Sequence, residues 1–469
     1  MTILILLMAT YSLFKEGRMP LFNERTDINM KTGVERVAAK ARQERDFCFT
    51  SLTHHLTVEL CEESLHGIRK NSAAGVDQKD VKQTQEEFSQ WIHSTLKSVH
   101  DRGYKAPPVK RVFIPKPGKR AKRPIGIPTV KDRCLQIATV KVLNAIYEQD
   151  FLNCSFGGRP RLSAHQAVGT LTTAIASKKV SWVYEADLKN FFGSLDHGWV
   201  MRFLQHRVKD PRITSLIKRW LNAGVMVNDK LEVTSLGTPQ GGPISVLISN
   251  IYLHYVLDLW VEKLVKPKLK GEMHYVRYVD DFVLCFQHEE DAKLFERALA
   301  NRLRKFSLDL EPTKTRLVEF GRFAVRESKR KGRSKPETIY FLGFTFYCTK
   351  NVAGKFKVGA KTEKSRLSRS MLKMKEKLLK IRHLPLEVQT KAINIMLVGH
   401  YRYYGIGGNF DSLKLMYRFT VFSWLKTLKT RSQKHHLTWE RYNKILKVHH
   451  LSEPKIYQSY SRLRSLALL

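Results

Sequence analysis

From Asp27 to Gly103, apolar positions such as Val34, Val37, Phe47 and Leu52 recur among charged ones at helical spacing, which predicts an all-helical N-terminal extension. Between Pro107 and Pro128 prolines and glycines break short β-prone pieces, and Arg111-Val-Phe-Ile-Pro-Lys-Pro-Gly-Lys-Arg-Ala-Lys-Arg-Pro-Ile-Gly-Ile-Pro128 reads as a hairpin with a basic tip. A helix follows from Lys131 to Asp150. Next come an apolar strand from Val180 to Ala186, a helix from Asp196 to His206, and a glycine-rich turn, Gly237 to Gly242, opening a helix through Trp260. A hairpin centred on Asp280-Asp281, a helix from Asp291 to Phe306 and a strand near Arg316 to Phe320 complete this part. Strands and helices interleaved this way predict an α+β fold with a ferredoxin-like, split βαβ arrangement. Arg322 to Lys335 reads as a solvated basic loop. Lys361 to Ile381 reads as a basic helix with Leu367, Met371, Met374, Leu378 and Ile381 on one stripe, opening a separate helical unit.

Charge narrows the choice of partner. The 469 residues carry 82 Lys and Arg against 43 Asp and Glu, a formal net charge of +39, so a long polyanion is the expected ligand. The basic residues run from Lys31 to Arg464 and do not cluster beside an apolar span, which favours nucleic acid over a membrane surface. With 43% hydrophobic residues the chain can bury a full core and is no disordered basic tail. The six cysteines are far apart with no CxxC pair, so neither a zinc module nor a disulfide framework is encoded, which fits a cytoplasmic location. The apolar stretch Met1 to Thr10 is too short to span a bilayer and lacks a basic flank, so it is expected to be non-targeting; Met19 and Met30 offer alternative starts.

The chemistry concentrates in Tyr278-Val279-Asp280-Asp281, set between the β-prone runs His274 to Arg277 and Phe282 to Phe286. Adjacent carboxylates at a hairpin tip repel each other unless a cation sits on them, and a hard divalent ion such as Mg2+ takes oxygen ligands and bridges to substrate phosphates. Asp187, at the end of the apolar run Val183-Tyr-Glu-Ala-Asp187, offers a third carboxylate. If the two strands are neighbours, three carboxylates converge on two metal ions, one activating a 3′ hydroxyl and the other holding a triphosphate. Alternatively Asp187 only caps the following turn.

In order along the chain, Lys70 to Asp77, Ile114 to Pro128, Ser155 to His165, Asp187 to His197, Gly237 to Gly242 with Asn250 to Leu253, Tyr278 to Asp281, Leu310 to Arg316 and Phe341 to Phe344 resemble the reverse transcriptases encoded by group II introns. Tyr401 to Gly407 is similar to that family's maturase region, and the likeness covers about residues 30 to 455. It implies a right-hand polymerase. Residues 1–105 would be a helical extension, 106–348 fingers and palm, 349–430 a helical thumb or maturase domain, and 431–469 a short helical segment. It implies RNA-directed DNA polymerisation from a DNA primer and dNTPs on an RNA template, with binding of a structured intron RNA, a DNA target, and no membrane. The resemblance makes Asp187, Asp280 and Asp281 catalytic and metal-holding, joined by the Leu188 backbone carbonyl, with two Mg2+ ions and Mn2+ as a substitute. It places Lys116, Arg123, Gln240 and Lys314 at the nucleotide, and makes Phe192 the aromatic that excludes a 2′ hydroxyl, with Phe191 as the competing assignment. Arg159 and His165 fall in the template-side segment. Tyr401, Tyr403, Tyr404 and Trp424, spread through the basic helices, are assigned mostly to packing.

Several positions depart from the family pattern. Val279 stands where Ala is usual, Gly193 where an Asp is, Gly158 where an aromatic is, and Ile244-Ser-Val-Leu247 where the third residue is Pro. No cysteine-containing nuclease segment follows the maturase region before Leu469, so second-strand cleavage is not expected. An intron-associated, bacterial, nucleic-acid-bound enzyme is the leading expectation. The alternative is a related enzyme working free of an intron in DNA repair or phage defence.

Overall fold

The computed structural model describes residues 33–115, 122–227, 230–232, 241–431 and 437–469. Its strands are β1 (Val109–Pro115), β2 (Lys122–Ile127), β3 (Trp182–Asp187), β4 (Val225–Val227) and β5 (Lys230–Glu232). They continue with β6 (Met273–Tyr278), β7 (Asp281–Phe286), β8 (Arg316–Glu319), β9 (Ile339–Phe341), β10 (Phe344–Lys350) and β11 (Phe356–Thr362). Three sheets result, with orders β2-β1-β4-β5, β6-β7-β3-β8 and β11-β10-β9.

The central sheet β6-β7-β3-β8 is antiparallel throughout and alternates side chains between two cores. On one face Tyr184, Ala186, Phe282, Leu284 and Phe286 join a large core with the helices Val130–Asp150, His197–Gln205, Pro243–Leu253 and Glu289–Arg304. The N-terminal helices Gly33–Gln43, Val58–His66 and Phe88–His100 pack on the same core through Val37, Cys61 and Trp91. On the other face Val183, Val276, Val283 and Cys285 meet the helix Ala164–Ser177 and the sheet β9–β11. A third core lies among the helices Lys364–Ile381, Leu386–Tyr404 and Phe410–Lys429, where Leu367, Met374, Leu378 and Ile381 are buried and Met371 is half-buried. The helical stripe read from the sequence is the buried face.

Two expectations are corrected. Arg322–Lys335 contains the helix Ala324–Arg330, because Ala324 and Ser328, four residues apart, give it a small buried face beneath its cations. The basic helix starts at Lys364 and not at Lys361, since Phe356-Lys-Val-Gly-Ala-Lys-Thr362 alternates at period two and pairs with β10, Phe344 opposite Thr362. A division at 348/349 would cut strand β10. The segment Met1 to Thr10 lies outside the described residues.

The helix Tyr460–Ser465 returns to the central domain, where Leu463 enters the second core and the Leu468 N–H donates to Thr170 Oγ1 at 2.9 Å. A Cβ on Gly169 would lie 2.3 Å from the Leu463 carbonyl oxygen, so the helices approach backbone to backbone. Exposed Gly399, within the helix Leu386–Tyr404, has nothing within 4 Å of its added Cβ. Gly399→Ala is therefore expected to stabilise the fold by up to about 1 kcal/mol, while Gly169→Ala destabilises it by about 1–2 kcal/mol. Denaturant midpoints of the two variants should move in opposite directions.

Candidate active site

The strand register brings the carboxylates together. Asp187 is the last residue of β3 and lies directly opposite Asp281, the first of β7; Tyr278 lies opposite Asp281 across the β6–β7 hairpin. Opposed residues of an antiparallel pair project from the same face with Cβ atoms about 5 Å apart, so Asp187 and Asp281 share one side. Only Val279 and Asp280 remain to turn the chain. Val279 does so at φ +59°, a left-handed conformation that a β-branched side chain adopts at a cost of about 1–3 kcal/mol.

Electrostatics follow from that crowding. Burial, then the Asp187 charge, pushes Asp280 up to about 6, against the opposing pull of Arg123 and Lys314. Burial and the charges of Asp187, Asp280 and Glu185 hold Asp281 well above the usual carboxylate range. Lys314 Nζ donates to Asp187 Oδ2, a cation already on one member of the cluster. Among the described residues no three His, Cys, Asp or Glu side chains close into a ligand shell by themselves. The donor chemistry nevertheless suits a hard divalent ion: all-oxygen, anionic and mutually repelling.

Leu188 meets Leu310 in an antiparallel bridge, in which the Glu311 N–H donates to the Asp187 carbonyl and the Lys189 N–H donates to the Asp309 carbonyl, both at 2.8 Å. Bonds from the flanking residues leave Leu188's own C=O turned to the opposite edge, the side of the Asp280–Asp281 turn. Just beyond, Asn190 at φ +46° opens the short helix Phe191–Ser194. Phe191 is buried in the large core while Phe192 is half-buried against its edge, ring centroids 5.3 Å apart.

Arg123 lies exposed on β2 opposite Ile114, close enough for its charge to act on Asp280. Lys116 and Gln240 lie outside the described residues. Next to Gln240, Gly241 at φ +130° comes so near β2 that a Cβ there would sit 2.4 Å from the Gly126 carbonyl oxygen. Arg159 is not available to a template. Its guanidinium pairs with Glu148 at 3.1 Å and donates to the Leu152 and Ser155 carbonyls, because a cation this buried must spend its donors internally. His165 Nε2 meets the Tyr403 carbonyl at 2.8 Å, tying the central domain to the C-terminal helices. Tyr401 and Trp424 are buried, and Tyr403 and Tyr404 pack on Phe344, as packing assignments require.

Sequence reading missed the buried group behind the turn. Arg277 has no exposed surface and forks onto Asp258, which is equally buried, at 2.7 and 2.5 Å. The available signal was an arginine inside a β-prone run and an aspartate inside the apolar stretch Ile244 to Trp260. Both are unfavourable unless paired.

Residues 114–346 match the family model described as reverse transcriptase (RNA-dependent DNA polymerase). The chain is 27% identical over 471 aligned residues, 85% of its length and 77% of the relative's, to the group II intron-encoded protein LtrA of Lactococcus lactis subsp. cremoris. It is 28% identical to protein YkfC of Escherichia coli, covering 50% of this chain and 70% of that one. It is 34% identical to an uncharacterized 91 kDa protein in the cob intron of Schizosaccharomyces pombe, covering 39% of this chain and 22% of that one. Fold, register and likeness together place the chain among the group II intron reverse transcriptases, enzymes that polymerise DNA on an RNA template.

Proposed function

We propose that Asp187, Asp280 and Asp281, with the Leu188 carbonyl, hold two magnesium ions, for which manganese can substitute. The observation that carries this reading is the register that sets Asp187 opposite Asp281 and leaves Asp280 in the adjoining turn. When bound, the ions supply Lewis acidity that activates the primer 3′ hydroxyl and neutralises charge on the triphosphate. Lys314, which pairs with Asp187, would face the nucleotide or primer once ions occupy the carboxylates. Arg123, with Lys116 and Gln240 from segments outside the described residues, receives the incoming dNTP. Half-buried Phe192, and not buried Phe191, lies against the sugar.

In this reading the ferredoxin-like sheet β6-β7-β3-β8 is the palm, β1–β2 the fingers, and the helices described between residues 33 and 105 the N-terminal extension. The thumb or maturase domain begins after β11 at Glu363 and runs to about 430, with 431–469 as its short helical continuation. Its basic helices grip the RNA–DNA duplex and a structured intron RNA, and the enzyme copies that intron into a DNA target. Support comes from the net charge of +39 and from LtrA, which is named as intron-encoded; that likeness favours the intron role over free-standing repair or defence. The helix Pro243–Lys268 is apolar and long enough to cross a membrane, but 78% of its apolar window is buried within the fold, in line with a nucleic-acid-bound, cytoplasmic enzyme.

Primer extension on an RNA template tests the centre. Wild type is expected to extend with Mg2+ and Asp280→Ala to lose roughly a thousand-fold or more in rate; equal rates would refute the assignment. Because the raised Asp280 pKa means a proton must leave before metal binds, the Mg2+ needed for half-maximal rate should rise as pH falls through about 6, with Asp281 shifting the dependence in the same direction. Phe192→Ala should raise ribonucleotide incorporation at least about ten-fold relative to dNTPs, and Phe191→Ala should instead lower thermal stability.

A further inference from the structure

The turn that carries Asp280 and Asp281 is held from behind by one fully buried guanidinium. Arg277 spends all five N–H donors. Nε and Nη2 fork onto Asp258 at 2.7 and 2.5 Å, Nη2 also donates to Ser155 Oγ at 2.7 Å, and Nη1 donates to Asn250 Oδ1 and to the Val279 carbonyl, each at 3.0 Å. The last bond reaches the backbone of the turn itself. Asn250 continues the chain of contacts, its Nδ2 donating to the Gly157 carbonyl at 2.8 Å. Gly157 in turn lies so close to the turn that a Cβ on it would sit 2.6 Å from the Val279 nitrogen and 2.7 Å from Val279 Cγ2.

The partners come from two other parts of the fold, Asn250 and Asp258 from the helix that begins at Pro243 and Ser155 from the segment that precedes Phe156. Asp258 lies where the helix beginning at Pro243 widens into a π-helical turn, His254–Asp258, the kind of irregularity that re-aims a side chain. Asp258 Oδ1 also accepts from Tyr275 Oη at 2.9 Å. Ser155 belongs to a segment that bonds the Arg277 main chain on both sides, the Arg277 N–H to Cys154 O at 2.7 Å and the Phe156 N–H to Arg277 O at 2.9 Å. Val279, a β-branched residue at φ +59°, would relax toward ordinary dihedrals if its carbonyl were released, and Asp280 would move with it.

We propose that Arg277, fixed by Asp258, Asn250 and Ser155, is the positioning residue that holds the left-handed Val279 turn and thereby sets the spacing of the Asp280 and Asp281 carboxylates. The inference rests on the reading of those carboxylates as the metal-holding pair. Arg277 touches no reacting atom; it acts through the Val279 carbonyl. Its loss therefore weakens metal use and turnover, not the grip on nucleic acid, which comes from the basic surface.

The test compares Asn250→Ser, Ser155→Ala and Arg277→Lys with wild type, measuring the Mg2+ dependence of primer extension and, separately, affinity for an RNA–DNA primer-template without metal. Asn250→Ser and Ser155→Ala remove neutral partners and leave the buried ion pair intact, so they report even if Arg277→Lys does not fold. The expected result is a half-saturating Mg2+ concentration raised about ten-fold in Asn250→Ser and Arg277→Lys and less in Ser155→Ala, with primer-template affinity within about two-fold of wild type and part of the rate recovered at high Mn2+. Unchanged Mg2+ dependence in Asn250→Ser and Ser155→Ala overturns the proposal, as does a parallel loss of primer-template affinity, which would indicate general loosening. Asp280→Asn separates the underlying reading: its rate should stay low at any metal concentration, and wild-type extension by it would remove the metal centre and the positioning role together.

Discussion

The ion pair between Arg277 and Asp258 is the contact on which the rest of the site depends. Both side chains have no exposed surface, so neither charge is tolerable without the other, and breaking one half of such a pair typically costs about 3–5 kcal/mol. The pair locks β6 against the helix that begins at Pro243 and against the segment from Cys154 to Phe156. These are three of the elements surrounding the carboxylates. A hydrophobic pair of similar volume would fill the space as well but could not hold the Val279 carbonyl.

In front of this rigid support the charges are deliberately unbalanced. The Asp187 charge raises the proton affinity of Asp280 and Asp281, Asp280 adds to that of Asp281, and the cations nearby, Lys314 and Arg123, offset only part of that repulsion. In the proposed reading a centre left short of positive charge, in a protein of net charge +39, takes small divalent cations and the phosphates they bridge. The outer surface, by contrast, is suited to long polyanions. In the proposed reading the two scales of electrostatics divide the labour: the surface collects nucleic acid, and the centre carries the polymerisation chemistry.

Much of this was legible from residues alone, and the exceptions have physical causes. Asp280-Asp281 and Asp187 stood out because carboxylates at the ends of apolar strands are costly without a purpose. The helical period that exposed the stripe Leu367 to Ile381 reads back over the end of β11 in sequence, since the strand's lysines share the basic character of the helix that follows and its pairing with β10 marks where the strand ends. The short helix Ala324–Arg330 buries only small residues, which leave no apolar signal. Arg159 matched a template-side motif in sequence, yet its burial against Glu148 makes it structural. Arg277 and Asp258 lie nineteen positions apart, and only the fold shows that two improbable charges are one neutral group. The departures from the family pattern also gain coherence in space: Gly157 makes room for Val279, and a Cβ on Gly158 would fall 2.2 Å from Val246 Cγ1, so the missing bulk at one position is taken up by its neighbour.

The central claim is that Asp187, Asp280 and Asp281 form one divalent-ion centre. Counting bound manganese by electron paramagnetic resonance in a complex with an RNA template, a chain-terminated DNA primer and a matched dNTP tests it most directly. Two ions per complex are expected for wild type, with at least one lost when Asp187→Asn and Asp281→Asn are combined. The same count in both proteins would contradict the account.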